Sequence, residues 1–162
     1  MEKHFELTDE TIEVAGNTMH RIRCTRDCKW AKTGDLGGFI EKEDNLSGNA
    51  WVSDNAWVYG NAQVYGDARV SDNARVSGNA RLAGKARVAG NDDHCGFDVF
   101  GSIGRHTHAY RTSDGGVEIT CGCFHGDIEA FEAKVRHTHG DSQYAREYLA
   151  IAHVIRVKFG LA

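Results

Sequence analysis

From Ile40 an aliphatic residue returns at every sixth position, through Leu46, Val52, Val58, Val64, Val70, Val76, Leu82 and Val88. Alanine follows four residues after most of them, at Ala50, Ala56, Ala62, Ala68, Ala74, Ala80 and Ala86, preceded by Asp-Asn, Gly-Asn, Gly-Asp or Gly-Lys. A period of six matches neither the turn of a helix nor the two-residue alternation of a strand. Each hexapeptide therefore reads as a short strand plus a corner, and three of them close one triangular turn of a β-solenoid with Val and Ala pointing inward. The chain has 19 Gly and no Pro. Gly, Asn and Asp supply the left-handed backbone that such corners demand, which β-branched residues and proline cannot.

Nine hexapeptides taken in threes make three coils, so residues eighteen apart stack on one face. Trp51, Arg69 and Arg87 then share one face, Trp57, Tyr59 and Arg75 a second, and Gln63, Tyr65 and Arg81 the third. The arginines are spread over three sides and form no basic stripe. With 19 Lys and Arg against 23 Asp and Glu, a net charge of -4, the chain is not built to neutralise a nucleic-acid backbone. Trp and Arg on these walls stack for cation–π stability. Their number on so small a prism also predicts a homo-oligomer interface at Trp51, Trp57, Tyr59, Tyr65, Arg69 and Arg87.

The repeat over residues 40 to 91 resembles the hexapeptide-repeat left-handed β-helix. That resemblance implies a mainly β fold of three short coils and a trimer or dimer, and it raises acyl transfer with a histidine as general base. The repeats contain no histidine; His94, His106 and His108 lie just beyond them.

Residues 1–39 alternate in short β-like runs, His4–Leu7, Ile12–Val14 and Met19–Cys24, with a turn at Ala15–Asn17. They predict a β cap on the open solenoid edge. Residues 92–162 predict a small α+β module. It has strands over Phe97–Tyr110 and Val117–Phe124, a helix capped by Asp127 that buries Ile128, Phe131 and Val135, and a second capped by Asp141 with a stripe of Tyr144, Tyr148, Ile151, Ile155 and Phe159. The start MEKHFELTDE is charged where a signal peptide is apolar, and no stretch matches the length of a membrane span. Five Cys in no small-scaffold spacing read as reduced thiols. A cytoplasmic protein without a membrane partner is the expectation.

LTDETIEV, GDLGGFIEKEDNLS, DNAWVYGNAQVYGDARV, CGCF and THGDSQYAREYLA together make nearly the whole chain resemble uncharacterised phage and prophage proteins. The resemblance implies a product acting in the cytoplasm of a bacterial host, with no established reaction or ligand.

Three constellations carry chemistry. Cys121, Cys123 and His125 alternate and would share a strand face, with His137 and His139 a helix away; the ligand types suit zinc, but the spacing is not that of a zinc knuckle, so no metal or other cofactor is expected. Cys123 beside His125 or His139 lacks the oxyanion loop and orienting group of a nucleophile. The turn Gly101–His108 offers Ser102, Arg105, His106 and His108 to a phosphate or carboxylate. The sequence thus predicts a non-catalytic binding protein that holds a small phosphorylated ligand or a host protein, with antagonism of bacterial defence as its purpose.

Overall fold

The computed structural model describes residues 3–161. The chain opens with strand β1 (Phe5–Val14), which pairs antiparallel with β2 (Asn17–Cys24) across the Ala15-Gly16 turn. The two short runs expected before this turn are one ten-residue strand whose register shifts between Leu7 and Thr11. There the Thr8 hydroxyl donates to the Arg21 carbonyl at 2.7 Å and keeps the strand edge joined. Strand β3 (Leu36–Ile40) pairs antiparallel with β2 and parallel with the repeat, so the cap and the first solenoid wall are one sheet.

Seven two-residue strands follow: β4 (Trp51–Val52), β5 (Trp57–Val58), β6 (Gln63–Val64), β7 (Arg69–Val70), β8 (Arg75–Val76), β9 (Arg81–Leu82) and β10 (Arg87–Val88). Trp51 pairs with Arg69 and Arg69 with Arg87; Phe39 pairs with Trp57 and Trp57 with Arg75; Gln63 pairs with Arg81. Every pairing is parallel and spans eighteen residues, as the period requires. The corners sit where the backbone turns left-handed, with φ between 54° and 67° at Gly48, Asp54, Gly60, Gly66, Asp72, Gly78 and Gly84. At Gly66 the next coil lies so close that a Cβ would collide with its backbone, and at Gly48 and Gly60 a Cβ would be crowded by it. Inside, the aliphatic and alanine columns form one continuous buried core that extends into the cap through Phe5, Ile22 and Cys24. Burial of these apolar columns stabilises the stacked coils.

Beyond the repeat, β11 (His94–Phe100), β12 (Arg105–Arg111), β13 (Val117–Cys121) and β14 (Phe124–Gly126) make an antiparallel meander. The single strand expected over Phe97–Tyr110 is therefore a hairpin, reversed where Gly101 and Gly104 take positive φ. Helices α1 (Ile128–His139) and α2 (Gln143–Phe159) cover one face of this sheet. Asp127 caps α1 by accepting from the Ala130 N–H, and Ile128, Phe131 and Val135 are buried. Ser142, not Asp141, caps α2, because the helix begins at Gln143 and only the preceding hydroxyl reaches the Ala145 N–H. Tyr144 is exposed at the first turn, whereas Tyr148, Ile151, Ile155 and Phe159 are buried.

The other sheet face closes the last coil. The Thr120 hydroxyl donates to the Arg81 carbonyl at 3.0 Å, and the Ser113 N–H donates to the Lys85 carbonyl at 2.9 Å. Tyr110 from β12, fully buried, is part of the solenoid core and plugs its open end. No helix among the described residues is long and apolar enough to cross a membrane.

Candidate functional site

Alternation along β12 decides what each residue of the expected anion site can reach. Thr107 and Ala109 point to the helices, and His106, His108 and Tyr110 to the solenoid side. The Gly101–His108 constellation consequently divides. Ser102 and Arg105 open on a cavity of about 310 Å³ between the sheet and the helices. His106 faces a separate groove, and His108 is only 5% exposed, which removes it from any ligand-facing surface.

The cavity floor and walls are Phe124, Phe131, Val135 and Tyr148, with Cys121 and Cys123 at the strand end. Phe124 and Phe131 meet edge to face with centroids 5.5 Å apart, and the His139 ring stacks on Tyr148 at 5.6 Å. Arg105 and Lys134 bring positive charge to this aromatic space, and Ser102 and Thr138 bring hydroxyls. Neither cation has a carboxylate within ion-pair distance among the described residues. Burial, reinforced by the Cys121 thiol, pushes the Tyr148 phenol up to about 12, and its hydroxyl donates to the Phe100 carbonyl at 3.4 Å.

On the solenoid side the histidines form a chain. The His106 Nδ1 lies 2.6 Å from an Asp98 carboxylate oxygen, its Nε2 2.9 Å from His108 Nδ1, and His108 Nε2 2.8 Å from His94 Nδ1. Gly96 makes the space, since a Cβ there would run into both the His106 and His108 rings. Burial holds the His108 imidazole well below its ordinary range, with the His94 and His106 charges adding to it, and burial lowers His94 as well. Sequence reasoning placed these three histidines near one another but missed their linkage. The signal was there: imidazoles two apart on a strand, opposite a glycine that pairs with His108.

The zinc candidates do not converge. Cys121 pairs with Phe124, so Gly122-Cys123 is a tight turn and the alternation expected through Cys121, Cys123 and His125 is broken. Cys121 is buried on the helix side, where the Thr107 hydroxyl donates to its sulfur at 3.2 Å. His125 lies on the solenoid side, its Nε2 3.0 Å from the Tyr110 hydroxyl and 3.2 Å from Glu118. His139 lines the aromatic cavity with Cys123. Among the described residues no three His, Cys, Asp or Glu side chains are grouped as a metal would need.

The expected interface residues are also redistributed. Trp51, read as an outward anchor, is 2% exposed, because His4 and Gly37 of the cap pack against its ring. Arg69 and Arg87 stack on one wall as expected, but under Trp30 of the cap loop, with guanidinium carbons 5.5 and 3.8 Å from its ring centroid. The Trp30 indole N–H donates to the Asp67 carbonyl at 3.1 Å. That wall is covered within the chain. Trp57 stays half-buried with Arg75 4.1 Å over its ring, and Tyr59 and Tyr65 are half-buried on the outer surface.

A family model described as the YdcK Beta solenoid repeat matches the chain twice, over residues 62–78 and 68–84. No curated protein matches it. The matched residues fall on β6 to β9 and the corners between them, so the likeness concerns the coil and does not extend to the cavity. The chain carries a β-solenoid repeat within a mainly β fold that ends in a helical part.

Proposed function

We propose that this chain binds a small phosphorylated ligand with an aromatic part in the cavity between the C-terminal sheet and its helices, and holds it without converting it. What carries the reading is the pair Arg105 and Lys134, two cations without carboxylate partners among the described residues, set beside the aromatic surface of Phe124 and Phe131. A guanidinium matches phosphate in a two-point contact, and the ammonium of Lys134 adds a second positive charge. Acyl transfer is the less favoured reading, because the histidines it would use as base are engaged with one another and with Asp98. The purpose we attach to the protein is antagonism of bacterial defence in a host cytoplasm, by withholding that ligand. We further read the solenoid as left-handed, and as pairing with a second copy through Trp57, Tyr59 and Tyr65.

Calorimetric titration with adenosine monophosphate tests the cavity. Arg105→Ala is expected to weaken binding about tenfold or more, and Lys134→Ala severalfold, in a folded protein. The nucleotide should be recovered unchanged, and acetyl-coenzyme A should not be consumed. Undiminished binding by Arg105→Ala would overturn the site. Turnover lost on replacing His94, His106 or His108 would overturn binding in favour of acyl transfer.

A further inference from the structure

Gly122 is where two cations from different parts of the fold meet. Arg81, on β9 of the solenoid, donates from Nη1 to the Gly122 carbonyl at 3.0 Å. Arg105, on β12 of the module, lays its guanidinium against the Gly122 Cα, so that any Cβ at this position would collide with it. A φ of 57° at Gly122 turns the chain so that both arginines fit. Neither has a carboxylate within ion-pair distance among the described residues. Two guanidinium groups that converge on one residue without a carboxylate can both present donors to one anion.

The space beside them is a groove of about 330 Å³ between the third solenoid face and the module. Unlike the aromatic cavity, its lining is polar: Gln63 and Asn79 from successive coils, Thr120 from β13, and His106, whose ring nitrogens are occupied by Asp98 and His108. Carboxamides that both donate and accept suit vicinal hydroxyls, and forked guanidinium donors suit a phosphoryl group. Among the described residues no Phe, Tyr or Trp lines it.

We propose that the groove is a second binding site, for a sugar phosphate, with the phosphoryl group between Arg81 and Arg105 and the hydroxyls against Gln63 and Asn79. The site goes beyond the cavity reading and shares only Arg105 with it. Its components come from both the repeat and the module, so it exists only in the assembled chain.

Titration of the full chain with ribose 5-phosphate, followed by calorimetry or amide chemical shifts, is the test. Binding is expected with a dissociation constant below about 1 mM, and about tenfold tighter than inorganic phosphate because of the hydroxyl contacts. Arg81→Gln should weaken it about tenfold and Gln63→Ala severalfold. Both side chains are exposed, so unchanged denaturation midpoints will show that the variants fold. Lys134→Ala, on the cavity side, should leave ribose 5-phosphate binding unchanged. Equal affinity for ribose 5-phosphate and inorganic phosphate, or no effect of Arg81→Gln, would overturn the proposal. If Lys134→Ala weakens binding while Arg81→Gln does not, the sugar phosphate occupies the cavity; the groove proposal then falls and the cavity reading stands.

Discussion

Val70 lies at the centre of the solenoid, paired in register with Val52 on one side and Val88 on the other, and is fully buried. Val70→Ala removes two methyl-sized carbons from a column with no solvent access. At about 0.8 kcal/mol per buried carbon the transfer loss is about 1.6 kcal/mol. The coils cannot collapse onto the gap, because backbone hydrogen bonds such as Trp51 N–H to the Ala68 carbonyl and Ser53 N–H to the Val70 carbonyl fix their spacing. The unrelaxed cavity therefore adds about 1 kcal/mol, for a total of about 2 to 3 kcal/mol. In a chain of this size that lowers the melting temperature by about 5 to 10 °C. Urea denaturation followed by circular dichroism gives the free energy, with Val157→Ala as the reference, since Val157 is 68% exposed on α2 and should change stability by no more than about 0.5 kcal/mol. Val70→Asp should cost more than Val70→Ala, because the carboxylate has no partner in that column. A Val70→Ala protein no less stable than Val157→Ala would refute the stacked-coil account of the core.

The histidine chain sets an acid limit. His108 and His94 are held below their ordinary range, so the folded state keeps them neutral while the unfolded state takes up protons below about pH 6.5. The stability they contribute is present above that value and lost as pH falls. The urea midpoint should drop between pH 7.5 and 5.5, and His108→Gln should flatten the drop; His4, also lowered by burial, accounts for part of what remains. A slope unchanged in His108→Gln counts against this assignment. Trp30→Ala strips the ring from Arg87 and Arg69 and leaves the Asp67 carbonyl with Arg87 Nη1 as its one remaining donor, for a loss of about 2 to 4 kcal/mol by denaturation. An effect below about 0.5 kcal/mol would show that the cap loop does not hold that wall. Trp57→Ala with Tyr65→Ala should lower the mass seen by light scattering at micromolar concentration; an unchanged mass removes these two faces as the assembly surface.

The period of six determined the solenoid core by itself, because each side chain's inward or outward sense follows from its place in a hexapeptide whose left-handed corner is a Gly or an Asp. Asp127 and the apolar stripes of α1 and α2 were legible for the same reason: they depend on residues within a few positions of one another. What depended on contacts distant in sequence was not legible. Trp51 reads as an outward aromatic along the repeat and is buried because residues 4 and 37 cover it. Cys121, Cys123 and His125 alternate on paper, and the Gly122 turn sends them to different sides of the sheet. Arg81 and Arg105, twenty-four positions apart and assigned to different units, meet only because β13 folds back over the last coil and brings Gly122 against both. Local periodicity is encoded in neighbouring residues, whereas a binding surface is assembled by docking one unit on another, and only the tertiary structure brings its charges together.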